Sequence, residues 1–114
     1  MSRIRSEEYK DKKISYQKNR KEWIREKAYI RMYGITLEDY TKKLIGQGGV
    51  CAICKLPEIS VDKRTGNLRN LAVDHCHTTG KVRGLLCSNC NMAIGKFKDS
   101  ILLIETAVSY LKEY

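Results

Sequence analysis

Two Cys-x-x-Cys pairs constrain this chain more than any other feature. Cys51-Ala52-Ile53-Cys54 and Cys87-Ser88-Asn89-Cys90 offer four thiols in two tight turns. Two intervening residues let both thiolates of a pair reach one ion, and Zn²⁺ takes four such ligands at about 2.3 Å. Disulfides are the competing reading. No apolar N-terminal segment marks export to an oxidising compartment, and five cysteines leave one unpaired in any disulfide scheme. The spacing predicts one structural zinc held by Cys51, Cys54, Cys87 and Cys90, with Cys76 a free thiol.

Cys54 and Cys87 are separated by 32 residues, more than a compact zinc ribbon needs and enough for a hairpin. Leu71-Ala72-Val73 leads into Asp74-His75 as a strand, Thr78-Thr79-Gly80 is a turn, and Lys81 to Leu86 alternates as the returning strand. Ser88 to about Lys96 reads as a short helix carrying Asn91. Upstream, Tyr33-Gly34 breaks a helix. Thr36 then stands as an N-cap with Asp39 completing a capping box, and Leu37, Tyr40 and Leu44 share one face of the helix that follows. Gly46 and Gly48-Gly49 stop that helix. Pro57 and the polar run 62–67 predict a loop or irregular hairpin. Asp99 or Ser100 caps a last helix. Its stripe of Ile101, Ile104, Val108 and Leu111 must pack on something, either the knuckle core or a second subunit. The expected fold is α+β: a small zinc-stapled strand-turn-strand-helix module with flanking helices.

The formal charge of +9 suits a polyanionic partner, most simply nucleic acid. Residues 1–33 carry 11 Lys/Arg against 5 Asp/Glu with no Pro or Gly. They predict a basic helical arm, distinct from a domain over 34–114. Tyr9, Tyr16, Trp23 and Ile30 recur every seven residues, but the positions four residues on hold Lys13, Arg20 and Lys27. That is one apolar stripe flanked by bases, not a coiled-coil seam. No run of 18 apolar residues exists, so no membrane partner is expected.

Both histidines of the chain lie between the knuckles. With four cysteines filling the coordination shell of zinc, His75 and His77 are left for other work. A histidine titrates near neutral pH and can deprotonate a water. Asp74 and the amide oxygen of Asn91 are hard donors suited to Mg²⁺ or Mn²⁺. Adjacent strand residues point to opposite faces, so Asp74 and His75 can share a site only if the strand ends or bends between them. A zinc module that binds nucleic acid without cutting it also accounts for the cysteines and the charge, but it gives no reason for Asp74, His75 and Asn91 together.

These segments resemble a known family. Tyr33 to Tyr40, Gly48-Gly49-Val50-Cys51 to Cys54, Val73-Asp74-His75-Cys76-His77, and Val82-Arg83-Gly84-Leu85-Leu86-Cys87 through Cys90-Asn91 look like the phage recombination endonuclease VII family, among the His-Me finger (HNH, ββα-metal) nucleases. The resemblance runs from about residue 29 to 111. It implies a metal-dependent DNA endonuclease in which His75 is the general base. Asp74 and Asn91 hold the catalytic Mg²⁺ or Mn²⁺, and the four cysteines hold structural zinc; His77, beside that site in sequence, is separately a candidate for a direct role such as phosphate contact. The cut would leave a 5′-phosphate and a 3′-hydroxyl. Lys63, Arg64, Arg69, Lys81 and Arg83 in the module, and Lys13, Arg20 and Lys27 in the arm, are the candidate DNA contacts. Nicking of duplex or branched DNA is expected, with Holliday-junction resolution as the alternative. A homodimer is one way to cut two strands. No small-molecule cofactor is expected, and the site of action would be the cytoplasm of a bacterial host cell.

Because the arm holds most of the excess positive charge, deleting residues 1–28 should weaken DNA binding and flatten the slope of log affinity against log salt. Fewer counterions are then released. A filter-binding titration across a salt series reads this, and an unchanged slope in the truncated protein contradicts it.

Overall fold

The computed structural model describes residues 19–114. By internal packing the chain divides into two units, Met1–Lys42 and Lys43–Tyr114, with the division inside one helix. Among the described residues, no helix is long and apolar enough to cross a membrane.

In the first unit, residues 19–33 are helical (α1). Gly34 ends α1 as the sequence predicts, with φ of 69° and its N–H donated to the Ile30 carbonyl. The next helix, α2 (Leu37–Gly46), opens on the expected capping box. The Asp39 N–H donates to Thr36 Oγ1 at 3.1 Å, and the Thr36 N–H donates back to Asp39 Oδ2 at 3.0 Å. These two bonds satisfy donors that the first turn leaves open. They also hold the Asp39 carboxyl below its ordinary value. Tyr40 is buried, with the Arg25 guanidinium 4.6 Å above its ring and the Tyr29 ring 5.4 Å away. That burial pushes the Tyr40 hydroxyl up to about 12. Of the arm residues singled out as bases, Arg20 and Lys27 are exposed on α1, while Lys13 lies outside the described residues.

In the second unit, Gly48 and Gly49 adopt φ of 70° and 76° and close the end of α2, the Gly49 N–H reaching the Leu44 carbonyl at 2.8 Å. Two strands follow the first knuckle: β1 (Ala72–His75) and β2 (Val82–Leu86), paired antiparallel. The helix α3 (Ser88–Lys96) packs on both strands, and α4 (Ile101–Glu113) ends the chain. Between the first knuckle and β1 the chain makes the expected irregular hairpin. It is held by a single Val61–Leu68 bridge and by the Asp62 N–H on the Asn67 carbonyl. The core is small: Cys51, Leu71, Val73, Leu85, Leu86 and Cys87, of which only Leu85 and Cys51 are wholly enclosed.

Two side chains complete this sheet. A two-stranded sheet leaves an open edge on each strand. Here Gln47 lies along β2 like a short third strand. Its Oε1 accepts the Leu85 N–H at 2.9 Å, and its Nε2 donates to the Leu85 carbonyl at 3.0 Å and the Val50 carbonyl at 2.8 Å. A Cβ at Gly84 would sit 3.4 Å from Gln47 Oε1, so a larger residue there would crowd the amide. Glu58 anchors the other side. Its carboxylate accepts the Ser88 N–H at 2.8 Å, the Ser88 hydroxyl at 2.9 Å and the Ser60 N–H at 3.0 Å. It is only 7% exposed. This anchors the loop before β1 to the first turn of α3, where a negative group also suits the helix dipole.

Of the two covers expected for the α4 stripe, the knuckle core does not enclose it, though Ile104 is half-buried. No residue of α4 is buried, and Ile101, Leu102 and Leu111 are each at least 70% exposed.

Burial pushes the Glu58 carboxyl up, but the N–H groups of Ser60 and Ser88 and the Ser88 hydroxyl outweigh it, so the group lies below its ordinary 4.5. A depressed folded-state value means stability that is present above about 4.5 and lost as pH falls through the lower value. Glu58→Gln should therefore cost about 1–2 kcal/mol at pH 7. The gap between variant and parent should shrink on acidification below pH 4.5. Denaturant melts of both proteins at pH 7 and at acid pH check this, and a constant gap would refute it.

Candidate active site

The four knuckle sulfurs lie within 4.8 Å of one another, with Cys54 Sγ and Cys87 Sγ 3.8 Å apart. A tetrahedron with Zn–S bonds of about 2.3 Å has S···S edges of about 3.8 Å. The donor set and its size therefore fit one zinc ion. Each knuckle also aims backbone N–H groups at its leading sulfur: Ile53 N–H on Cys51 Sγ and Cys90 N–H on Cys87 Sγ, both at 3.4 Å. Burial raises the Cys51 thiol, but the N–H groups of Cys87, Cys54 and Ile53 more than reverse this and lower it. Cys90 moves the other way, pushed up by its own burial and by the sulfurs of Cys87, Cys51 and Cys54. Four thiolates this close repel one another, and a bound cation is what lets all four ionise. Cys76 stands outside the cluster, as expected.

β1 ends at His75, and its pairing with β2 loses register just before that end. Asp74 pairs with Gly84 and His75 with Val82, so the register shifts between Asp74 and His75 and Arg83 is the extra residue on β2. The irregularity therefore breaks the alternation of faces on β2, at Arg83. Beyond it, the His75 and His77 rings lie 4.9 Å apart. The turn back to β2 is closed by the Cys76 N–H on the Lys81 carbonyl at 2.8 Å and the Gly80 N–H on the Cys76 carbonyl at 2.7 Å.

Asp74 is engaged by Arg83. The guanidinium donates from Nε to Asp74 Oδ2 at 2.7 Å and from Nη2 to Asp74 Oδ1 at 2.9 Å, a two-pronged fork. Nη2 also reaches Asp99 Oδ2 at 3.4 Å, and His77 Nε2 lies 3.5 Å from the same oxygen. The hydrogen bond to Asp74, with burial opposing it, holds Arg83 still more firmly in its protonated form. His77, Arg83, Lys98 and Asp99 line a cleft of about 410 Å³. Asn91, one turn into α3, lines a second cleft of similar size with Glu58, Arg69, Ala72 and Ser88. Ala72 and Asp74 share one face of β1. Lys63, Arg64, Arg69 and Lys81 are exposed.

Asp99 was not among the residues picked out for chemistry. Its place before a helix led to a capping role, but Ser100 is the cap, accepting the Leu103 N–H at 3.1 Å. Lys98 and Asp99 instead hold φ of 57° and 54°, and this left-handed exit from α3 turns the carboxylate toward Arg83. A polar residue adjacent to a cap, eight residues beyond Asn91, carries no local signal of that.

The oxygens of Asp74 and the amide oxygen of Asn91 are hard donors of the kind Mg²⁺ and Mn²⁺ take, and Asp74 already faces a cation. The residues present are thus chemically suited to a divalent ion. Such an ion would address the same lone pairs that Arg83 now occupies.

A family model for recombination endonuclease VII matches residues 26–113. The chain belongs to that family. It is 40% identical over 89 residues to the Gene 59 protein of Mycobacterium phage D29, covering 77% of this chain and 50% of that protein. It is 39% identical over 87 residues to the Gene 59 protein of Mycobacterium phage L5, covering 75% and 49%. The chain thus spans about half the length of the curated relatives it matches. Within this endonuclease VII family chain, the match takes in both knuckles, the bulged hairpin, Asn91 and Asp99.

Protein purified without chelator should carry one zinc per chain by elemental analysis. Cys87→Ser should lose the metal and the cooperative melt together, because binding and folding are coupled. A Cys87→Ser protein with unchanged zinc content and melting temperature would rule out the four-thiol site.

Proposed function

We propose that this member of the recombination endonuclease VII family is a metal-dependent DNA endonuclease of the His-Me finger type. The observation that supports the reading is that β1 ends at His75, directly after Asp74, so the imidazole stands at the end of the strand rather than locked inside it. On this reading His75 is the general base. It takes a proton from a water whose oxygen attacks phosphorus. The bond from phosphorus to the 3′ oxygen breaks, leaving a 5′-phosphate and a 3′-hydroxyl once that oxygen takes a proton from solvent. Asp74 and Asn91 would hold Mg²⁺ or Mn²⁺, which when bound supplies Lewis-acid stabilisation of the charge developing on the phosphate. His77 stands beside the cleft and serves the phosphate. The zinc site has no part in the chemistry; it holds the two ends of the hairpin and the start of α3 in register.

The DNA is bound through its backbone. Lys63, Arg64, Arg69 and Lys81 on the module and Lys13, Arg20 and Lys27 on the arm supply positive charge without a preformed reader of base edges. This suits nicking of duplex or branched DNA with little sequence preference. The division of labour is a basic arm over 1–33 and a nuclease module over 34–114, acting in the cytoplasm of a bacterial host cell.

His75→Ala should lower cleavage by about 100-fold or more while DNA affinity changes by less than about twofold, the scale expected for loss of a general base. Cleavage of labelled duplex and four-way DNA with Mn²⁺, alongside a binding titration, measures both. Undiminished cutting by His75→Ala would overturn the mechanism. No cutting by the parent protein on any substrate, with binding intact, would favour a zinc module that only binds nucleic acid.

A further inference from the structure

Asp74 and Asp99 come from elements 25 residues apart in sequence, β1 and the α3–α4 turn, yet they share one guanidinium. The two contacts are unequal. Asp74 receives the two-pronged fork at 2.7 and 2.9 Å, while Asp99 receives a single, longer bond at 3.4 Å from Nη2. Asp74 therefore has neither oxygen free of Arg83, whereas Asp99 has a carboxylate that Arg83 only grazes. Around them, the Arg83 side chain is 39% exposed and borders the cleft, so it has room to swing. Asp99 is held in place by a backbone that costs energy to maintain: two consecutive non-glycine residues with φ of 57° and 54°. Its role is not capping, which Ser100 performs.

We propose that Arg83 is a resident counter-ion that a divalent cation must displace from Asp74, and that Asp99 is the acceptor that receives Arg83 when it leaves. The proposal rests on the reading of Asp74 as a ligand for the divalent ion. A guanidinium fork and a metal cannot both hold the same two oxygens, and like charges crowded at one carboxylate repel. Pivoting about Nη2 keeps Arg83 on one carboxylate throughout, so the positive charge is never left unpaired. In the second position its fork opens onto the cleft beside His77, where the planar donors match the oxygens of a phosphodiester. Asp99 is a positioning residue in this scheme: it acts on the metal site only through Arg83.

The test is Mn²⁺ binding to the zinc-loaded full chain without DNA, read from the free-ion electron paramagnetic resonance signal. Arg83→Gln should bind Mn²⁺ about fivefold more tightly, the upper range for a partly exposed pair. Arg83→Lys keeps the charge but loses the fork, and should still gain about twofold. Asp99→Asn should weaken binding about threefold, and that loss should nearly vanish when Arg83→Gln is also present, as expected for coupled residues. Zinc content and melting temperature establish that each variant is folded, and Arg83→Lys stands in if Arg83→Gln is not. Mn²⁺ affinity lost in Asp74→Asn but unchanged in both Arg83 variants overturns the proposal alone. A gain in Arg83→Gln with none in Arg83→Lys reduces the effect to bulk charge and also overturns it. An Asp99→Asn loss of equal size with and without Arg83 makes Asp99 a direct ligand and removes its positioning role. Mn²⁺ affinity unchanged in Asp74→Asn overturns the metal-site reading and the proposal with it.

Discussion

Four sulfurs within 4.8 Å of one another hold this unit together. The apolar core around them is six residues, two of them knuckle cysteines. A domain of this size rarely buries enough apolar surface to fold on that alone, and an ion held by the four thiols would do what a larger core does elsewhere. The staple also sets geometry. It ties the chain before the hairpin to the chain after it, and Cys87 is at once a ligand, the residue after β2 and the N-cap of α3. The position of Asn91 on α3 relative to Asp74 on β1 follows from that junction.

Around the staple, polar groups replace missing partners. Gln47 gives β2 a third-strand substitute, and Glu58 fixes the incoming loop to α3 through three hydrogen bonds. Glu58 is buried and Gln47 half-buried, and an unmatched donor or acceptor at either would be costly. The bonds of the Asp74–Arg83–Asp99 cluster are more exposed and longer at one end. The frame is thus satisfied and the cleft is left with charges in reserve.

What was legible in the sequence was local. The capping box at Thr36 and Asp39, the glycine stops, both knuckles and the span of α3 are written in residues within a turn of one another, and all of them match. That Asp74 and His75 could share a site only where the strand ends or bends also followed from strand geometry alone, and β1 ends at His75. What escaped was pairing at long range. Gln47 meets Leu85 across 38 residues and Arg83 meets Asp99 across 16, and neither leaves a periodic or compositional trace. The sequence left the cover of the α4 stripe open between the knuckle core and a second subunit. Periodicity reports that a helix has an apolar face, not that the same chain covers it.

The left-handed turn at Lys98–Asp99 bears on how such a chain could be improved. Replacing Lys98 with glycine would relieve part of the backbone strain, and a search for thermal stability would favour it. The same change would widen the range of directions in which the Asp99 carboxylate points. Stability and placement pull in opposite directions at this one turn, so laboratory selection for hardiness alone would drift away from the arrangement this turn holds.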